Sequence, residues 1–271
     1  METIHNIILF GEAGAGKSSI VNMLLSQSVA KTSNGARGCT FENKGYRFHI
    51  GAVQFRIYDT AGLNEGDQGR VPDSKAVYNI YKLIHQLDGV SLLIYCMKGR
   101  IKNNAAANWQ LFHKVVCNEE VPIIAAVTGL EEEADLDSWW RRNENIEAFE
   151  SYQLRPDRVA CIVSYLGDKS QYERKYEESF NKLRNIIKGS YRKEPWSQEK
   201  AQWLVDIYKR TTHTRFCVFS QTKLEYTEQM LTLFGELRRE SSIPGKDIEN
   251  MKKVLLQAEE QLQKRWYNFF W

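Results

Sequence analysis

The sequence predicts an α/β fold, in which a mostly parallel, six-stranded sheet lies between helices in three layers and a helical C-terminal extension follows. Short apolar segments rich in β-branched residues alternate with longer amphipathic segments over roughly the first 190 residues. One pair of strands is close enough in sequence to form a hairpin, which adds a single antiparallel strand. Strand-like segments mostly stop after Ser190, so we expect one domain at 1–190 and the helical extension at 191–271.

A glycine-rich loop follows the first predicted strand, "IHNIILF". Residues 11–18 read "GEAGAGKS", which matches the pattern GxxxxGK[ST], and a helix is predicted at 17–25. Glycines let successive backbone N–H groups face phosphate oxygens, while Lys17 adds a cation and the Ser18 hydroxyl is a ligand for Mg²⁺. The residues expected to bind the nucleotide in this loop are Glu12, Ala13, Gly14, Ala15, Gly16, Lys17, Ser18 and Ser19.

The hairpin is predicted from "YRFHI" and "VQFRIY", which are joined by "GA". Its second strand runs into "DTAGL". At this position Asp59 can hold Mg²⁺ through the water shell of the ion, and the Gly62 N–H can meet the γ-phosphate. We therefore expect Asp59 at the metal site and Gly62 at the catalytic site.

A polar, glycine-rich segment, "KTSNGARGCTF", lies between the glycine loop and the hairpin. Segments of this kind suit a switch that γ-phosphate and Mg²⁺ bring into order. Thr40 is the preferred second Mg²⁺ ligand because it is the last threonine before the hairpin, and Thr32 is the alternative. Arg37 is a candidate catalytic arginine, within one chain or across a dimer, or else a solvated loop residue.

The later segments continue the alternating pattern. Between the last two strands, an acidic segment is expected to contain a helix that anchors Trp139 and Trp140 on the domain. An amphipathic helix at 246–266 and the aromatic tail after it predict an extension that packs on the domain, on a partner or on a second copy. The remaining elements are predicted helices at 73–87, 105–116 and 171–188 and predicted strands at 89–97, 121–128 and 158–166.

The composition is that of an ordinary globular protein. The net charge of +3 is too small to indicate a nucleic-acid partner. No apolar span reaches the ~20 residues of a membrane helix, so a membrane association is not expected. The N-terminus lacks the order of regions found in a signal peptide, and the five cysteines are scattered, as is typical of reduced thiols. Together these features predict a cytoplasmic location.

The order of the glycine loop, the loop threonine, the hairpin and the DxxG turn resembles that of a GTPase G domain. "ILFGEAGAGKSSIVNMLL" and "CMKGRIKNNAAANWQLF" are similar to the septin-related group, namely the immunity-associated nucleotide-binding GTPases and the chloroplast outer-envelope import GTPases. "DTAGL" resembles their DTPGL, with Ala61 in place of proline. The resemblance covers roughly 4–190. It implies a P-loop G domain that binds GTP with Mg²⁺, hydrolyses it to GDP and phosphate, and pairs as a homodimer across the nucleotide face.

The segment that would read the base departs from this resemblance. G domains usually carry [NT]KxD after the fifth strand, whereas this chain has "VTGLEEE". Thr128 matches, Gly129 replaces the lysine whose stem usually packs over the base, and Glu131 replaces the aspartate. A glutamate can still accept hydrogen bonds from guanine. Ser164, in "IVSYL", is expected to contact the base region through its backbone.

The hydrolytic machinery also departs from the common pattern. Leu63 occupies the place where Ras-type GTPases carry a glutamine, and an apolar side chain cannot hold the attacking water. Hydrolysis is therefore expected to be slow without help from a partner or a second copy. Two alternatives remain open, namely a nucleotide-binding switch or scaffold with little hydrolysis, and an ATP-using P-loop enzyme with relaxed base specificity. The side chains that could orient the water are Arg37, Glu65, Gln68 and Arg70.

Overall fold

The described part of the chain contains one six-stranded sheet and the helices that pack on it. The predicted helices at 73–87 and 246–266 lie wholly or mostly outside it, so they and the helical extension stay predictions. The computed structural model describes residues 3–11, 14–26, 45–60, 83, 87–101, 105, 109, 112–113, 117–165 and 172–197.

Six strands form one sheet in the order β2-β3-β1-β4-β5-β6. β2 and β3 pair antiparallel, and the four other pairings are parallel. This is the α/β fold of a P-loop G domain, and the predicted mostly parallel sheet with one antiparallel strand is confirmed. The strands are β1 His5–Gly11, β2 Gly45–Ile50, β3 Val53–Asp59, β4 Leu92–Lys98, β5 Ile123–Thr128 and β6 Arg158–Cys161.

The central strands are apolar because both faces of the sheet are covered. Every residue of β1 and β5 is buried, as is β4 up to its last residue, Lys98. The edge strand β2 instead ends in alternating exposed and buried residues, which fits a strand with one face toward solvent. In folds of this kind, ligands bind at the carboxyl ends of the parallel strands. Here those ends are supported by strands that are buried on both faces.

Helices cover the sheet on both faces. On one face, Ile20 of α1 and Leu183 of α4 share a core cluster with Leu9. On the other face, the ring of Phe10 stacks on Phe112 at a centroid distance of 4.2 Å. Neighbouring β1 residues point to opposite faces, so these contacts confirm the three layers. The helices are α1 Lys17–Leu25, α2 Ser138–Arg141, α3 Asn143–Ser151 and α4 Glu173–Ser190.

Two segments differ in detail from the expectation. The predicted last strand at 158–166 ends already at Cys161, and Val163 N donates to Ser179 Oγ of α4 at 2.9 Å instead. The acidic segment contains two short helices rather than one. Trp139 is buried and Trp140 is half-buried, and both rings lie edge-on to Phe149 of α3, so the expected tryptophans pack within this segment.

The chain continues to pack on the domain just after α4. Trp196 N donates to Val90 O at 2.9 Å, and Val90 N donates to Trp196 O at 2.7 Å. Nothing described lies beyond residue 197, so the boundary at 190/191 stays a prediction. Within the described part, no helix combines the length and the apolar character needed to cross a membrane.

Candidate functional site

The loop between β1 and α1 is bent by glycines and held by a lysine. Gly16, directly before α1, has φ 90°, a conformation that glycine adopts without strain. Lys17 is buried, and its Nζ donates to Gly11 O at 3.1 Å, so the ammonium closes the loop at its base. No side chain caps the first turn of α1, which leaves the positive end of that helix directed at the loop.

Ser18 and Asp59 meet although 41 positions separate them in sequence. Ser18 Oγ donates to Asp59 Oδ2 at 2.8 Å. The contact arises because β1 and β3 are parallel neighbours, with Leu9 in register with Asp59. A hydroxyl and a carboxylate at the carboxyl edge of the sheet are oxygen donors of the kind that Mg²⁺ prefers. Two of the three predicted metal ligands therefore lie together and fit that ion.

The Ala15 carbonyl ties this loop to two other strands. It accepts hydrogen bonds from Thr128 Oγ1 and from Cys96 Sγ, both at 2.8 Å. Thr128 is predicted at the base site, and the structure engages its hydroxyl with the glycine loop. Cys96 was not predicted, because a cysteine within an apolar strand gives no sequence signal for such a contact. The ends of β4 and β5 therefore fix the position of the loop.

Gly16, Thr128 and Ser164 also come together. A Cβ added at Gly16 would lie 3.1 Å from Ser164 Oγ and 3.4 Å from Thr128 Oγ1. The phosphate loop, the end of β5 and the segment after β6 thus converge, although more than 30 positions separate each from the next along the chain. This convergence places the two predicted base-reading segments beside the glycine loop.

Three consecutive glutamates follow Gly129 and Leu130, and their side chains are not equivalent. Glu132 accepts from the Tyr172 hydroxyl, and Glu133 Oε2 pairs with Arg142 Nη2 at 2.5 Å. No hydrogen bond or ion pair with the described residues engages the half-buried Glu131 carboxylate. Of the three, Glu131 is therefore the one whose carboxylate has no partner among the described residues.

Lys175 of α4 holds the backbone of this run. Its Nζ donates to Glu131 O at 2.7 Å and to Glu133 O at 2.8 Å. Hydrogen bonds to a charged donor are among the stronger ones in proteins. This role is not evident from sequence, because Lys175 looks like one of many charged residues on an amphipathic helix. Its two bonds hold the backbone from which the Glu131 side chain projects.

The remaining predicted residues divide into two groups. Gly14 is exposed in the loop, Ser19 is half-buried in the first turn of α1, and Gly129 has φ 75°. The others lie outside the described residues, so their predicted roles are not addressed by the geometry. They are Glu12, Ala13, Arg37, Thr40, Gly62 and Gln68.

The amino-acid sequence is similar to known GTPases over its N-terminal part. Residues 6–128, somewhat less than half of the chain, match the model of a family described as 50S ribosome-binding GTPase. The immune-associated nucleotide-binding protein 10 of Arabidopsis thaliana is 33% identical over 102 residues, which are 37% of this chain and 22% of that protein. The tRNA modification GTPase MnmE of Acidiphilium cryptum is 41% identical over 61 residues, 22% of this chain and 14% of that protein. The chain spans less than a quarter of these curated relatives.

Two solved structures match the chain over much of its length. Toc33 from Arabidopsis thaliana in complex with Mg²⁺ and GMPPNP matches over 69% of this chain and 83% of that chain, with 16% identity and a TM-score of 0.49. Era from Aquifex aeolicus bound to GDP and AlF4⁻ matches over 73% and 60%, with 16% identity and a TM-score of 0.48. The match to an immune-associated nucleotide-binding protein agrees with part of the resemblance noted above, whereas a relation to septins stays a prediction.

Proposed function

We propose that this protein binds a guanine nucleotide with Mg²⁺ and hydrolyses GTP to GDP and phosphate. The observation that carries the proposal is the meeting of Lys17, Ser18 and Asp59 around one loop. Phosphoryl transfer to water depends mainly on positioning and on charge stabilisation, and this loop combines an ammonium, a helix N-terminus and a pair of Mg²⁺-type donors. The similarity of residues 6–128 to GTPases supports the same reaction.

Each residue of the loop has a distinct task in this proposal. Lys17 and the amides at the start of α1 hold the β- and γ-phosphates, and Ser18 and Asp59 would hold the metal. When bound, Mg²⁺ would neutralise charge that develops between the β- and γ-phosphates. Thr40 as a further metal ligand and the Gly62 N–H at the γ-phosphate are proposed from the sequence alone.

The preference for guanine rests on Glu131. Its carboxylate is available, and a carboxylate can accept from both the N1 and the exocyclic amino group of guanine. Adenine presents an acceptor at N1, so the same carboxylate would disfavour ATP. A bidentate contact of this kind discriminates between bases by about 1–3 kcal/mol. Ser164, beside Gly16, would contribute from the other side of the pocket.

A second candidate function is a nucleotide-binding switch that hardly hydrolyses GTP. It is favoured by Leu63, which cannot orient a water molecule. In the main proposal Gln68 or Arg37, or the face of a second copy in a homodimer, supplies that help. Single-turnover measurement on purified protein separates the two functions, because only a GTPase converts bound GTP within one binding lifetime.

Calorimetry with GTP, GDP and ATP, with and without Mg²⁺, tests the proposal directly. We expect Ser18→Ala to weaken GTP binding by about 10- to 100-fold in the presence of Mg²⁺, because a metal ligand is lost. Without Mg²⁺ the variant should bind GTP almost as the original protein does. Ser151→Ala, at the exposed end of α3, is the matched control. Equal binding of ATP and GTP would instead support the ATP-using alternative.

Lys175→Met tests the part of the proposal that concerns the base. Removing its two bonds to the Glu131 and Glu133 carbonyls frees the run, so the preference for GTP over ATP should fall by about 3- to 10-fold. The measurement is the ratio of the two dissociation constants. Lys188→Met, an exposed change on the same helix, should leave the ratio unaltered. An unchanged ratio in Lys175→Met would show that the two bonds of Lys175 do not position Glu131 for reading the base.

A further inference from the structure

The last residue of β4 lies against the glycine that replaces the usual motif lysine. Lys98 is in register with Thr128, the last residue of β5, and Gly129 follows directly. A Cβ added at Gly129 would lie 2.8 Å from Cγ and 2.9 Å from Cε of Lys98. The aliphatic stem of Lys98 therefore crosses the face of Gly129 from which a side chain would emerge.

Gly129 and Lys98 are thus matched to each other. Gly129 has φ 75°, in the left-handed region where residues with a β-carbon are strained. A β-carbon at position 129 would also force the Lys98 stem to move, since a Cβ does not approach a non-bonded carbon as closely as 2.8 Å. The space in which a side chain of residue 129 would begin is already filled by methylene groups that β4 supplies.

This stem borders the proposed base pocket. Gly129 lies between Thr128, whose hydroxyl holds the phosphate loop, and Glu131, whose carboxylate is available. A nucleotide that reaches from the loop to Glu131 must pass its base along this stretch. Lysine stems readily cover apolar surfaces while the ammonium stays in water, and an ammonium is attracted to the face of an aromatic ring.

The ammonium of Lys98 has no competing task in the described part of the chain. Lys98 is exposed, and no hydrogen bond or ion pair with the described residues engages its Nζ. By contrast, the ammonium of Lys175 donates to the Glu131 carbonyl, and that of Lys182 pairs with the Asp137 carboxylate. Lys98 therefore combines a stem that is fixed against Gly129 with a charge that a ligand can meet.

We propose that Lys98 is a base-binding residue whose stem packs against one face of the nucleotide base. The strand β4 then supplies the surface that the segment after β5 lacks because residue 129 is glycine. This inference rests on the proposed function, since it requires a nucleotide in the pocket. Stacking does not depend on the exocyclic groups of the base, so Lys98 contributes to affinity and leaves the choice between GTP and ATP to Glu131.

The test compares Lys98→Ala with Lys98→Met, by calorimetry with GTP, ATP and inorganic tripolyphosphate. Lys98→Ala removes most of the stem and should weaken GTP and ATP by a similar factor of about 10. Lys98→Met keeps a stem of similar length and should stay within about threefold of the original protein. Tripolyphosphate, which has no base, should bind both variants equally well. Lys193→Ala, an exposed change after α4, is the control.

Each other outcome overturns the inference in a recognisable way. Unchanged GTP binding by Lys98→Ala, or an equal loss in Lys98→Met, would show that the stem does not pack on the base. An equal loss for tripolyphosphate would show a charge effect on the phosphates. If the unaltered protein binds no nucleotide, the proposed function itself fails. Lys98→Ser removes the same stem and replaces Lys98→Ala should that variant not fold.

Discussion

Lys17→Ala is expected to abolish measurable turnover and to weaken GTP binding by at least about 100-fold, the loss typical of a preorganised charge donor. Lys17 is buried, and its bond to Gly11 O holds the ammonium at the base of the loop. An ammonium in a partly dehydrated position interacts with phosphate more strongly than one in water. Calorimetry gives the affinity, and release of phosphate gives the turnover.

The control for Lys17→Ala has to separate lost charge from lost fold. Lys188→Ala removes an exposed ammonium from α4 and should bind GTP normally. Thermal unfolding of ligand-free Lys17→Ala should show a cooperative transition, because the substitution removes a side chain without adding a clash. Turnover by Lys17→Ala at the original rate would refute the phosphate site and, with it, the whole assignment.

Gly11→Ala is expected to lower the free energy of unfolding by more than about 4 kcal/mol, or to prevent folding. A Cβ at this position would lie 2.0 Å from the carbonyl oxygen of Cys96. The oxygen belongs to the backbone of β4, and Gly11 is in register with Cys96, so no side chain can turn away to relieve the overlap. The φ of 140° adds strain, because residues with a β-carbon rarely adopt it.

Gly14→Ala is the matched control for that substitution. Gly14 also has a positive φ, 75°, but an added Cβ would meet nothing within 4 Å. We expect a loss of roughly 1–2 kcal/mol from backbone strain alone. Chemical denaturation of the two variants measures both values. Equal stabilities would mean that the close approach of β1 to β4 is not what requires glycine at position 11.

Much of the fold was predictable because its signals are local. The continuous apolar runs of β4 and β5 predict strands that are covered on both faces. The "GA" between two short strands predicts the hairpin. The end of β6 was not predictable, because Val163 N is bound by Ser179 Oγ, which lies 16 positions further along the chain. Apolar character alone cannot distinguish a strand residue from one held by a helix side chain.

The candidate site divides in the same way. Lys17, Ser18 and Asp59 belong to motifs whose spacing encodes their meeting, and the structure brings Ser18 and Asp59 into contact. Lys98 and Lys175 carry no such signal. Each acts on residues more than 30 positions away, and their positions follow only from the pairing of β4 with β5 and the packing of α4. Sequence motifs describe the phosphate end of the site better than the base end.

The two donors on the Ala15 carbonyl make that anchor redundant. A carbonyl oxygen has two lone pairs, and here one receives the Thr128 hydroxyl while the other receives the Cys96 thiol. Loss of either donor still leaves the oxygen with one hydrogen bond, so removing one of them should disturb the loop less than removing both. Cys96→Ala should accordingly leave the loop held through the Thr128 hydroxyl.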